Sequence, residues 1–285
     1  MNVLVATDGS KYGRWALNWV AKLPLVEPAK VTALHVLDTA SLRAPFLSQP
    51  VMAGTERYIH EEIQRMEAHS VKALKDAKQQ LASLKLKGTA RKEQGAVAST
   101  ILKRAPKRDG LLVVGSQGLD ALDRFMLGSV STALIHHATC PVLVVKGEAA
   151  PVQRITLATD GSSASAKALE FLVNKFQADR SSGKGGPIHV SVIHVMPFIK
   201  YPELKAAGHK LVERSVRKLV KAGFTAEPVY QLGKPAEEIM KVASKHQSDL
   251  IVVGAKGLGA VARFLLGSVS TRVVQHSSCS VLVVR

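Results

Sequence analysis

Apolar residues follow two rhythms along this chain. Short runs are dense in Val, Ile and Leu, and longer stretches return an apolar residue every three or four positions. The first kind reads as buried strands of a parallel sheet, the second as amphipathic helices. In the N-terminal half the strand runs are Val3–Thr7, Val31–Leu37, Thr89–Glu93, Leu111–Val114 and Val142–Val145. Helical stretches lie between them at Arg14–Lys22, Glu56–Lys85, Val97–Arg104 and Val130–His137; the long one carries Ile59, Ile63, Met66, Val71 and Leu74 near helical spacing. In the C-terminal half strands are expected at Ile155–Thr159, Ile188–Val195, Thr225–Tyr230, Leu250–Val253 and Val281–Val284. Its helices are expected near Ala164–Gln177, Glu203–Lys221, Ala236–Lys245 and Val269–His276, with Pro235 suited to a first turn. Strand–helix alternation of this kind requires parallel strands with right-handed crossovers. The fold class is therefore α/β, with a five-stranded doubly wound parallel sheet in each half.

The two halves are copies. Val3-Leu-Val-Ala-Thr-Asp8-Gly9-Ser10 is answered by Ile155-Thr-Leu-Ala-Thr-Asp160-Gly161-Ser162, and Ala33-Leu-His35-Val36 by Val192-Ile-His194-Val195. Leu111-Leu-Val-Val-Gly115-Ser-Gln-Gly118 returns as Leu250-Ile-Val-Val-Gly254-Ala-Lys-Gly257. Arg124-Phe-Met-Leu-Gly128-Ser-Val-Ser131 returns as Arg263-Phe-Leu-Leu-Gly267-Ser-Val-Ser270, and Cys140-Pro-Val-Leu-Val-Val as Cys279-Ser-Val-Leu-Val-Val. Five collinear matches define a tandem repeat, with domains at 1–147 and 152–285. The polar joint between them, Lys146 to Gln153, is too short for free tumbling, so the halves should pack together.

Each half carries Gly-x2-Gly-x9-Gly-Ser directly after its fourth strand: Gly115, Gly118, Gly128 and Ser129, then Gly254, Gly257, Gly267 and Ser268. Glycine lets a backbone adopt positive φ and approach a ligand closely. The third glycine stands just before a helix, whose free amides and positive dipole end attract an anion. Ligands of open parallel sheets bind beyond the carboxyl ends of the strands. The Asp-Gly-Ser after strand one lies on that edge too. With strands one and four adjacent, Asp8 would face Gly115 and Asp160 would face Gly254, ready for ribose hydroxyls or a divalent ion. The plainer alternative is that the glycines only make turns and the aspartates only cap helices. A nine-residue spacing kept in both copies argues for the ligand. Gly183-Lys184-Gly185-Gly186 lacks the Walker spacing and reads as a loop.

The 285 residues are 46% hydrophobic and 21% charged, ordinary for two globular cores. No apolar run approaches the ~20 residues of a membrane span. The N-terminus enters a strand with no charged leader before it, so a cytoplasmic location is expected. Net charge is +17. The cations are spread over helices such as Val71–Lys87 and Lys205–Lys221, with no dense basic arm or interleaved aromatics, so a solvated basic surface is favoured over a nucleic-acid partner. Cys140 and Cys279 read as small, partly buried residues without further metal ligands nearby. His35 and His194 read as core or edge residues of the second strand, and His136, His137 and His276 as cations at helix C-termini.

These motifs resemble the universal stress protein family in its tandem form, and most closely its ATP-binding branch; the likeness covers the whole chain. It implies a Rossmann-like, adenine nucleotide alpha hydrolase-like fold with strand order 3-2-1-4-5. It also implies an intrachain pseudo-dimer through the last strands, with a further homodimer left open. Carried over residue by residue, the likeness places adenine at Val36 and Val195 with Ala6 and Ala158, and ribose at Asp8 and Asp160. Ribose and phosphates fall at Gly115, Gln117, Gly118, Gly128, Ser129, Val130 and Ser131. In the second copy they fall at Gly254, Lys256, Gly257, Gly267, Ser268, Val269 and Ser270. The implied cofactor is ATP, with Mg2+ as its accompanying ion.

The copies differ. Asp120 and Asp123 follow the first loop, where the second has Gly259 and Ala262, and Lys256 sits inside the second loop. Like charge weakens anion binding, so the second site is expected to hold ATP more tightly. No Ser-His-Asp or metal cluster emerges, which favours a nucleotide-responsive binder with at most slow ATPase activity. Two alternatives remain: a basic interaction protein with unoccupied sites, and an ATP hydrolase. An ATP-pyrophosphatase would need a Ser-Gly-Gly-x-Asp-Ser-like loop, which Thr-Asp-Gly-Ser does not supply.

Overall fold

The computed structural model describes residues 1–39, 55–107, 109–118, 127–178, 186–196, 202–257 and 266–285. The N-terminal half runs β1 (Asn2–Ala6), α1 (Lys11–Lys22), β2 (Lys30–Leu37), α2 (Thr55–Ser83), β3 (Gly88–Gln94), α3 (Val97–Arg104), β4 (Leu111–Gly115), α4 (Ser129–His137) and β5 (Val142–Val145). The C-terminal half runs β6 (Arg154–Ala158), α5 (Ser163–Lys175), β7 (His189–Met196), α6 (Pro202–Lys221), β8 (Thr225–Leu232), α7 (Pro235–Lys245), β9 (Leu250–Gly254), α8 (Ser268–His276) and β10 (Ser280–Val284). The expected elements are all present, with ends shifted by up to three residues. The Gly183–Gly185 loop lies outside the described residues.

All ten strands form one sheet in the order β3-β2-β1-β4-β5-β10-β9-β6-β7-β8. Within each half the pairings are parallel, in the order 3-2-1-4-5. The halves meet where β5 and β10 pair antiparallel, Val142 opposite Val283, Leu143 opposite Leu282 and Val144 opposite Val281. These residues are almost wholly buried, which explains an uninterrupted Val/Leu run at the end of each copy. The antiparallel seam turns one half over with respect to the other in the plane of the sheet. The carboxyl ends of the strands therefore point to opposite edges. One core layer lies under α1, α2, α5 and α6, and the other under α3, α4, α7 and α8; each draws on both halves.

Reciprocal contacts tie the seam. Lys146, just past β5, donates from Nζ to the carbonyls of Gln275 (3.1 Å) and Ser277 (2.7 Å) at the end of α8. Arg285, just past β10, donates to the Ile135 carbonyl near the end of α4. Each cation satisfies carbonyls that a helix end leaves open. Trp19 Nε1 also donates to Gly147 O at 3.0 Å. Burial holds the Lys146 amine down to about 8 and pushes the neighbouring Cys279 thiol up to about 11.

A pH dependence follows. The folded value for Lys146 lies below the unfolded value of 10.5, so its contribution to stability is greatest above 10.5 and falls away as pH drops toward 8. Cys140, buried, and Cys279, half-buried, act oppositely above pH 9, so the wild type alone does not isolate this effect. Relative to Lys146→Met, wild type should gain up to ~3 kcal/mol between pH 8 and 10.5. Denaturant melts of both proteins at the two pH values measure it, and parallel curves would remove Lys146 as a titrating group in the seam.

Candidate nucleotide site

The loop after β1 has the same construction in both halves. Asp8 Oδ1 accepts from Ser10 N at 2.9 Å, and Ser10 Oγ then caps α1 by accepting from Gly13 N at 3.2 Å. Asp160, Ser162 and Ser165 repeat this at 3.0 and 3.2 Å. The helix cap is therefore the serine, and the aspartate stiffens the turn. Gly9 and Gly161 lie between them at φ +83° and +82°, where a side chain would be strained.

That turn aims the second carboxylate oxygen across the strand ends. β1 is adjacent to β4 and β6 to β9, as adjacency of the first and fourth strands required. The facing residues differ from expectation, however. A Cβ at Gly118 would lie 2.8 Å from Asp8 Oδ2, and one at Gly257 would lie 2.6 Å from Asp160 Oδ2. The carboxylates thus meet the second glycine of each loop. The first glycine abuts the helix after β1: a Cβ on Gly115 would strike Tyr12, and one on Gly254 the main chain of Ala164 and Ser165. The expectation that the loop glycines supply positive φ is also corrected. Gly128 and Gly267 have φ of −63° and −68°, and the positive-φ glycines lie elsewhere. Gly115, Gly118, Gly254 and Gly257 serve close approach instead.

Gly128 and Gly267 are the N-caps of α4 and α8, and neither helix has a side-chain cap. The amides of Ser129, Val130 and Ser131, and of Ser268, Val269 and Ser270, open the two helices. Gly128 N donates to Ser116 O and Gly267 N to Ala255 O, each at 2.8 Å, folding the loop back on its strand. Ser131 and Ser270 donate their hydroxyls to Gly115 O and Gly254 O, each at 2.7 Å, so to a ligand they offer the amide. Ser162 Oγ donates to Lys256 O at 3.1 Å, tying the second loop to the first turn of its half.

In the N-terminal half the ten expected residues, Ala6, Asp8, Val36, Gly115, Gln117, Gly118 and Gly128 to Ser131, line one cleft of about 900 Å³. In the C-terminal half Asp160, Gly254, Lys256, Gly257, Gly267 and Ser270 are joined by the contacts above. Val195 belongs to the core layer under α3, α4, α7 and α8, and Ala158 and Val269 pack against that same layer. Asp120, Asp123, Gly259 and Ala262 lie outside the described residues.

Several lining residues had no sequence signal beyond helical spacing. Glu62, Arg65, Met66 and His69 come from one face of α2, and Asp38 from the end of β2. His69 Nε2 bonds Asp8 O at 2.7 Å and His35 Nδ1 bonds Thr7 O at 3.0 Å, with the two rings 6.0 Å apart. Burial is the main reason the His35 imidazole titrates below its usual range; His69 and Lys92 push the same way, against the Thr7 bond and Asp8. It is therefore neutral at pH 7, with its tautomer set by Thr7. The second copy keeps the inner bond, His194 Nδ1 to Thr159 O at 2.8 Å, but packs Leu211 at Gly161 where the first packs His69 at Gly9.

Fold and loops together define a tandem Rossmann-like α/β protein with glycine-capped helix starts beside its strand-one aspartates. The family model described as universal stress protein family matches residues 1–146 and 151–285. The chain belongs to the universal stress protein family. A universal stress protein of Mycolicibacterium smegmatis is 30% identical over 99% of this chain and 96% of its own length. A solved universal stress protein from Archaeoglobus fulgidus aligns with 100% of this chain and 96% of its own at 20% identity, with a TM-score of 0.71. Another, from Arabidopsis thaliana and solved with AMP bound, aligns with 46% of this chain and 90% of its own at 22% identity, with a TM-score of 0.34. Among the described residues no helix is long and apolar enough to cross a membrane.

Proposed function

We propose that this chain is a cytoplasmic, nucleotide-responsive regulatory protein that binds ATP at each of its two loops, within domains 1–147 and 152–285. The observation carrying the reading is the meeting of Asp8 with Gly118 and Asp160 with Gly257 beside an uncapped helix start. A carboxylate at that place accepts from ribose hydroxyls, and the amides of α4 and α8 take phosphate oxygens. Adenine would lie against Val36 and Ala6, or Val195 and Ala158. Among the described residues no group of three His, Cys, Asp or Glu is placed to hold a metal. Mg2+ would then travel with the nucleotide's phosphates.

Hydrolysis needs a base or a residue that orients water against the γ-phosphate. His35 is buried and bonded to main chain, and His69 is bonded to Asp8 O, so binding with at most slow turnover is the favoured reading. Among the described residues the first cleft is lined by the carboxylates of Asp8, Asp38 and Glu62 and the guanidinium of Arg65. The second loop carries Lys256. This charge difference supports the second site as the stronger. Mass spectrometry of the purified chain after denaturation is expected to release ATP or ADP, and calorimetry of the emptied protein to show ATP binding. No released nucleotide together with no heat of binding would favour the interaction-protein reading.

A further inference from the structure

At the opposite, N-terminal edge of the first half's sheet lies a second cleft of about 410 Å³, away from the glycine loops. β1, β2 and β3 supply Asn2, Thr32 and Thr89; Lys30, Lys87 and Arg104 stand around them, and among the described residues no carboxylate lines it. The cleft exists because α3 stops early. Ala105 precedes Pro106, and a residue before proline is pushed out of the helical region; Ala105 has φ −54° and ψ 139°. Arg104 is held at the side by Glu93, at 2.9 Å.

The repeat shows what this place looks like when filled. Thr32 pairs with Thr89 in the register where Ser191 pairs with Glu227, and Lys30 stands beside Asn2 as His189 stands beside Arg154. In the second copy α7 runs on to Lys245 with His246 as its C-cap. Ser191 Oγ donates to Glu227 Oε1 at 2.8 Å, His246 Nδ1 lies 3.1 Å and His189 Nε2 3.2 Å from the same oxygen. Burial pushes the Glu227 carboxyl up, but the bonds from Ser191 and His189 and the nearby His246 outweigh it and hold the group below its ordinary range. One copy fills this place with its own anion and donors. The other has donors and cations but no anion of its own.

We propose that the cleft between β1, β2, β3 and the end of α3 binds a small phosphate-bearing anion, about the size of a sugar phosphate, where the second copy holds the Glu227 carboxylate. Thr32, Thr89 and Asn2 donate to its oxygens, and Lys30 and Lys87 supply the charge. This site is independent of the nucleotide reading, because it lies on the other edge of the sheet.

Inorganic pyrophosphate titrated into the isotope-labelled full chain tests it by amide shifts. Thr32, Gly88 and Thr89 should move, with a Kd of about 1 mM or tighter. The double variant Lys30→Ala, Lys87→Ala should bind there at least about tenfold more weakly, each lost charge-assisted contact being strong. Thr89→Glu, which supplies the missing carboxylate, should abolish the shifts while leaving those at Gly115 to Ser131 unchanged. These residues are exposed, and circular dichroism checks that the variants fold. Shifts confined to the glycine loops, or a double variant that binds as wild type, would overturn the proposal. Equal binding of succinate would overturn the phosphate assignment.

Discussion

Gly267→Glu is expected to remove the stronger of the two proposed ATP sites, weakening binding there by about 100-fold or more, while Gly128→Glu removes the weaker. Both glycines are N-caps with room outside the main chain; the nearest atoms to an added Cβ are at 3.4 Å for Gly267 and 3.6 Å for Gly128. The new carboxylate can therefore fold onto the free amides of its helix, where negative charge stabilises by ~0.3–1 kcal/mol. Folding survives, but the carboxylate occupies the amides a phosphate needs. Calorimetry with ATP on the two variants reads each site alone. If Gly267→Glu binds as wild type while Gly128→Glu binds nothing, the order of the sites is reversed and the charge argument from Lys256 and the acidic first cleft fails.

The second large effect separates stability from binding within one loop. Gly254→Ala should destabilise the C-terminal half by roughly 1–3 kcal/mol, because its Cβ would stand 2.6 Å from Ala164 C and 2.7 Å from Ser165 N. Main chain at the start of α5 cannot step aside without moving the helix. Among the described residues Gly257→Ala meets only the Asp160 carboxylate, at 2.6 Å, and a side chain can turn away. That variant should melt near wild type yet lose ATP at the second site, since Asp160 leaves its proposed ribose position. Thermal melts and calorimetry on both variants decide the matter. Equal melting temperatures would show that β9 and α5 tolerate a methyl between them, and unchanged binding in Gly257→Ala would take Asp160 out of the site.

The order of strands and helices was legible because parallel strands covered on both faces must be uninterrupted Val/Leu/Ile runs, and each run recurs in the second copy. Val281 to Val284 could be read as a strand for that reason, although nothing in it names its partner. The glycine spacing was legible because the same intervals recur after the fourth strand of both copies. Only the positive-φ part of the glycines' expected role fails, since sequence does not distinguish a glycine needed for positive φ from one needed for close approach. Gly9 and Gly161 are of the first sort, Gly115 and Gly254 of the second.

By itself, the sequence determined that the chain is one α/β unit written twice, with a glycine loop after each fourth strand. Those features depend on local periodicity and on repetition. Tertiary structure decided which atoms meet. The antiparallel seam between β5 and β10 sends the two sites to opposite edges and places Lys146 and Arg285 on each other's helix ends. The overhang of α2 brings Arg65 and His69 above Asp8. The early end of α3 leaves open in one copy what Glu227 and His246 close in the other. Such differences depend on contacts between residues far apart in the chain, to which a periodic pattern carries no signal.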